Sequence, residues 1–176
     1  MKFVKYCAWI TILVLWALDT SCTNDSMACR VRNVLGNSIC LPSELSDTIS
    51  EYRIVRYIKS NSCTSCQLEL GMWRVYKKRL NKVFGDKVNI KFIISTKKID
   101  EVTQLITMYQ FHSNVYIDSV GTYINDNNEL TGLGSDVVVL TDQQNRVLLI
   151  GNPCKNYKIQ CTIDSILFNN LNGDND

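Results

Sequence analysis

The stretch SNSCTSCQLELGMW, residues 60–73, sets Cys63 and Cys66 two residues apart where an apolar run gives way to helical spacing. Thiols at this separation serve as a reversible disulfide pair, as half of a four-thiolate metal site, or as plain buried thiols. At the start of a helix, unpaired backbone N–H groups and the helix dipole stabilise a thiolate on the first cysteine. The second lies about one turn in and can close a disulfide with the first. Ser60 or Ser62 is placed to cap that helix. On this reading Cys63 is the attacking thiolate and Cys66 resolves.

The flanking segments must hold the pair. Before it, EYRIVRYIKS (51–60) carries Ile54, Val55, Tyr57 and Ile58 and reads as a largely buried strand. After it, Cys66, Leu70, Trp73, Tyr76, Leu80 and Val83 recur at steps of three and four, one face of an amphipathic helix stopped at Gly85. At helical spacing Trp73, Tyr76 and Leu80 read as core. Arg74, Lys77, Lys78 and Lys82 fall on other faces and read as solvated charge.

The rest of the chain supplies the sheet. VNIKFIIS (88–95) is a second strand, Ile99, Val102, Ile106 and Tyr109 mark a second helix, and NVYID (114–118) is a short third strand. DVVVLTD and RVLLIG flank QQN and predict a hairpin over 136–151. Ile159, Ile163, Ile166 and Leu171 space out a closing helix. Upstream, ACRVRNVLGNSICLP (28–42) reads as two short strands turning at Gly36-Asn37. Strands alternating with helices and ending in a hairpin predict an α/β domain: a mixed sheet with helices on both faces and an added N-terminal β-hairpin.

The chain has 176 residues, enough for one domain with a proper core. Its first 21 residues have the build of a secretory signal: Lys2 and Lys5, then the apolar run AWITILVLWAL (8–18), too short for a membrane span. LDTSC (18–22), followed by polar TNDS, resembles a bacterial lipoprotein cleavage site, which makes Cys22 the lipidated new N-terminus. The alternative is ordinary cleavage and secretion. Residues 22–27 then form a tether and 28–176 the domain. Removing Lys2, Lys5 and Asp19 takes 19 basic and 17 acidic residues to 17 and 16, a net of +1. No basic stripe with interleaved aromatics appears, so nucleic acid is not an expected partner. Export places Cys29, Cys40, Cys63, Cys66, Cys154 and Cys161 where disulfides can persist.

The strand–CxxC–helix unit and the late hairpin DVVVLTDQQNRVLLIGNP resemble the thioredoxin superfamily, nearest to its TlpA-like envelope thiol–disulfide oxidoreductases, many of them bacterial lipoproteins. The likeness spans roughly residues 28–172. It implies a thioredoxin-like fold, redox-active Cys63 and Cys66, protein thiols or disulfides as substrates, a separate redox partner, a membrane held by the lipid anchor, and no cofactor or metal. The sequence departs from the pattern where the family carries a cis-proline before the late hairpin. Here Ser135 or Asp136 stands at that place, and the two prolines, Pro42 and Pro153, lie elsewhere. Without proline a cis bond costs roughly 3 kcal/mol, so a trans bond is expected. Ser62 replaces the tryptophan that commonly precedes the first cysteine.

Other chemistries fit less well. A zinc site would need His112, Cys154 or Cys161 to complete a single CxxC. Peroxidase chemistry wants a proline and a threonine upstream of the cysteine, where Arg56 and Ser60 stand. Hydrolysis would need His112 as base, with nothing to place it near Cys63. Cys29 and Cys40 fall out of register across the proposed hairpin, and a helix starting near Asn156 carries Cys161 out of disulfide reach of Cys154. The sequence thus points to envelope disulfide exchange. The alternative is a non-catalytic scaffold or binding lipoprotein of the same fold, with a vestigial or structural CxxC.

Overall fold

The structure, a computed structural model, describes residues 26–46, 49–59, 68–111 and 114–172. Among these the chain runs α1 (Met27–Val34), β1 (Tyr52–Lys59), α2 (Leu70–Phe84), β2 (Val88–Ser95), α3 (Ile99–Tyr109), β3 (Val115–Asp118), α4 (Thr122–Asp126), β4 (Asp136–Thr141), β5 (Val147–Ile150) and α5 (Tyr157–Asn172). One five-stranded sheet has the order β3-β2-β1-β4-β5. β1, β2 and β3 are parallel, and β4 and β5 run antiparallel to their neighbours. This is the expected mixed sheet.

β1 is the central strand and is buried from Arg53 to Ile58. A strand covered on both faces needs apolar residues at successive positions rather than in alternation, which is how its sequence reads. Side-chain alternation then divides the core in two. On one face Ile54, Ile58, Ile90, Phe92, Ile94, Val138 and Leu140 pack with Leu70, Trp73, Tyr76 and Leu80 of α2, Val102 and Ile106 of α3, and Ile163 and Leu167 of α5. On the other, Val55, Tyr57, Ile93, Val137 and Val139 pack with Val34 of α1, Leu45, Tyr123 of α4 and Leu130. Each such aliphatic side chain contributes about 1.5–3 kcal/mol when fully buried.

The α2 stripe ends on Phe84 rather than Val83. Val83 is exposed, whereas Phe84 is buried with its ring 4.9 Å from that of Phe168. Position 84 continues the step of four from Leu80, so it stays on the core face. Gly85 ends the helix with φ 60° and ψ −140°, a conformation that favours glycine.

The N-terminal β-hairpin is not formed. Its first half is α1, whose cap Ser26 accepts a hydrogen bond at Oγ from the Cys29 N–H at 3.3 Å, and which buries Cys29 and packs Val34 into the second core. Gly36, at φ 83°, turns the chain out of this helix. The second half is extended but finds its partner around β5: Gly36 N–H donates to the Val147 carbonyl at 2.8 Å, and Ser38 bridges to Arg146. A capping serine followed by Met-Ala-Cys outweighs the turn signal at Gly36-Asn37. α1 also begins at Met27, the last residue assigned to the tether.

Candidate functional site

β1 delivers the chain to Lys59, and the next described residue is Leu68. Cys63 and Cys66 lie in the intervening 60–67, outside the described residues, as do His112, Cys22 and the segment 1–21. Lys59, Ser95 and Asp118 end the parallel strands on one edge of the sheet, and antiparallel β4 begins there, with Asp136 opposite Ile58. Lys59 N–H donates to the Ser135 carbonyl at 2.8 Å, which ties the departing chain to the stretch where the family pattern places its cis-proline. The peptide bonds there are trans, as expected.

A closed ring of four charges lies beneath this edge. Arg56, fully buried in mid-strand, donates from Nε to Asp136 Oδ1 at 2.8 Å and from Nη2 to Oδ2 at 2.9 Å. Its Nη2 also reaches Glu69 Oε2 at 3.3 Å, and Nη1 donates to the Leu68 carbonyl at 2.7 Å. Lys155 Nζ closes the ring, 3.1 Å from Glu69 and 3.2 Å from Asp136. The Arg56 guanidinium also lies 5.2 Å from the centre of the Trp73 ring. A bidentate fork backed by an aromatic face is a geometry that lysine cannot supply.

This ring shapes the return of the chain. Glu69 precedes α2 with φ 50° and ψ 34°, in the left-handed region. A residue with a Cβ is strained there. Its carboxylate, held by Arg56 and Lys155, fixes it, while Leu68 is fully buried. Glu69 interrupts the helical stripe expected to run on from Cys66, so α2 starts at Leu70. Arg56, Glu69 and Lys155 were not singled out from the sequence. The available signal was a charge at the middle of the apolar run IVRYI, which has to be paired once the strand is central.

The charges set the titration of their neighbours. Burial raises the Asp136 carboxyl, but hydrogen bonding and charge from Arg56, then Lys155, outweigh it and hold the group below the usual carboxylate range. Cys154 follows β5 beside the ring. Burial pushes its thiol up to about 11, with Glu69 adding to the effect while Arg56 and Lys155 oppose it. A thiol so raised is protonated at neutral pH and a poor nucleophile. No disulfide joins any of Cys29, Cys40, Cys154 and Cys161, and Cys161 is exposed.

No family model matches the sequence, and no curated protein matches it. Solved structures do. A thioredoxin-like protein from Parabacteroides distasonis aligns over 74% of this chain and 92% of its own, with 11% identity and a TM-score of 0.51. A proposed thiol:disulfide interchange protein DsbE from Chlorobium tepidum aligns over 68% and 82%, with 17% identity and a TM-score of 0.50. A domain of a possible thiol-disulfide isomerase from Cytophaga hutchinsonii aligns over 69% and 80%, at 16% and 0.50.

The chain has a thioredoxin-like fold. In this thioredoxin-like chain the CxxC falls between the end of the central strand and the helix that follows it. Its charge ring occupies the face of β1 that packs against α2. Among the described residues, no helix is long and apolar enough to cross a membrane.

Proposed function

We propose that this thioredoxin-like chain is a thiol–disulfide oxidoreductase of the bacterial envelope, working through Cys63 and Cys66. The observation that carries the reading is the place of the CxxC in the chain: it follows Lys59 at the carboxyl end of the central strand and precedes α2. The three compared structures, with their thioredoxin-like and thiol-disulfide descriptions, support the same chemistry.

The steps balance without a cofactor. The Cys63 thiolate attacks one sulfur of a protein disulfide; the S–S bond breaks, a mixed disulfide forms, and one substrate thiolate leaves. Cys66, as thiolate, attacks the Cys63 sulfur, releasing the second substrate thiol and leaving Cys63–Cys66 oxidised. A partner dithiol restores the pair with two electrons and two protons. Run backwards, the same steps oxidise a substrate. The proposal includes cleavage of residues 1–21 and lipidation of Cys22, with residues 22–27 as a tether holding the domain to the membrane outside the cytoplasm.

The test is an exchange assay with single variants. Cys66→Ser should accumulate a mixed disulfide through Cys63, and Cys63→Ser should abolish exchange. A second reading, a non-catalytic scaffold, draws on Ser135-Asp136 standing where the family carries proline and on Asp136 being committed to Arg56. Exchange and partner binding unaffected by Cys63→Ser would favour it.

A further inference from the structure

A second feature lies at the same sheet edge, on the opposite face from the charge ring. A cavity of about 480 Å³ opens at the carboxyl ends of β1, β2 and β3, lined by Tyr57, Lys59, Ser95, Lys97, Ser119 and Ile124 among others. Crevices outside the carboxyl ends of parallel strands are where open α/β sheets bind ligands. Among the described residues three lysines (59, 97 and 98) line it, and no carboxylate does.

Two acids of this region already have partners. Asp118 is buried and accepts from the backbone N–H groups of Gly121, Thr122 and Tyr123 at 2.9–3.0 Å. Glu101 pairs with Lys98 at 3.5 Å. Lys59 and Lys97 are exposed and form no ion pair among the described residues. Among the described residues the cavity therefore presents two cations without an ion-pair partner, beside serine and threonine hydroxyls.

Its position relative to the cysteines is bounded by the chain. Lys59 is four residues before Cys63, and four residues span at most ~14 Å. A peptide whose disulfide is at Cys63 can thus lay its next few residues across the cavity. We propose that this cavity binds an Asp/Glu-rich segment of the protein substrate, flanking the disulfide that Cys63 attacks. The inference rests on the exchange reading for its substrate and on charge complementarity for its ligand.

The test separates the two. Fluorescein-labelled, cysteine-free dodecapeptides, one rich in Asp and Glu, one with Asn and Gln in their place and one rich in Lys, are titrated against the full-length chain by anisotropy. The acidic peptide should bind at least tenfold more tightly than the neutral one at 50 mM salt, and the gap should shrink at 500 mM. Lys59→Glu with Lys97→Glu should remove the preference, Lys59→Gln with Lys97→Gln should weaken it, and Lys78→Glu with Lys82→Glu on the exposed side of α2 should leave it intact. Equal binding of the three peptides, or no change in the Lys59/Lys97 variants, overturns the proposal. So does equally tight, equally Lys59/Lys97-dependent binding to phosphatidylglycerol vesicles. No thiol takes part, so acidic-peptide binding without disulfide exchange would sink the exchange reading alone. Exchange that ignores the charge flanking the disulfide would sink the cavity alone.

Discussion

Arg56 and Asp136, on neighbouring antiparallel strands, meet through two parallel hydrogen bonds of 2.8 and 2.9 Å. The pair joins the middle of β1 to the first residue of β4. Through Glu69 it also fixes where α2 begins. A buried guanidinium costs several kcal/mol to desolvate, and it is tolerated here because two carboxylates, a carbonyl and an aromatic face surround it.

Asp136→Asn should destabilise the fold at pH 7 by about 2 kcal/mol. That is less than the ~3–5 kcal/mol for orphaning a buried charge, because Glu69 and the Leu68 carbonyl remain with Arg56. The Asp136 carboxyl titrates below its unfolded value, so its contribution is fully present above about pH 4 and is lost as pH falls through the folded value. Urea titrations should show a wild-type advantage that is level from pH 7 to about pH 5 and shrinks towards pH 3. An advantage that grows on acidification contradicts the pairing.

Glu69 separates backbone strain from charge. Glu69→Gly and Glu69→Ala both delete the ion pairs with Arg56 and Lys155, but only alanine keeps a Cβ at φ 50°. The alanine variant should be less stable than the glycine variant by about 1 kcal/mol in chemical denaturation. The reverse order would mean that position 69 is not left-handed in solution.

Much of this frame is written in the sequence in a form that patterning can reach. β1, β2, α2 and the closing helix stand out because burial repeats apolar residues at the period of each element. The exceptions have local causes. The segment 28–42 carries both a capping serine upstream and a Gly-Asn turn, and packing of Val34 with Leu130 and Val147 adds to the cap in favour of the helix. α4 and the turn of 3₁₀ helix over Asn128–Leu133 are polar and short, and the start of α4 is held by Asp118 through backbone N–H groups rather than through an apolar stripe. The charge ring joins residues 56, 69, 136 and 155, too far apart in sequence for any spacing rule.

Trp73 is fully buried between two edge-on rings, Tyr76 at 6.0 Å and Phe92 at 5.4 Å, and beside Arg56. Trp73→Ala should cost about 3–5 kcal/mol in thermal or urea unfolding. A loss under 1 kcal/mol would place the α2 face outside the core.

The four described cysteines should differ in reactivity. With its thiol near 11, Cys154 is about 0.1% thiolate at pH 8. In iodoacetamide time courses read by peptide mass mapping, exposed Cys40 and Cys161 should be labelled first and Cys154 far more slowly. Labelling of Cys154 in step with Cys40 would show that its thiol is not buried.

The most direct measurement is an equilibrium redox titration of the Cys63–Cys66 pair in the purified chain, poised with glutathione or dithiothreitol and read by thiol trapping and mass spectrometry. Disulfide exchange requires one reversible two-electron transition between about −120 and −270 mV. A pair that stays oxidised well below about −300 mV, or one that never closes, would contradict it and leave the thioredoxin-like fold as a scaffold.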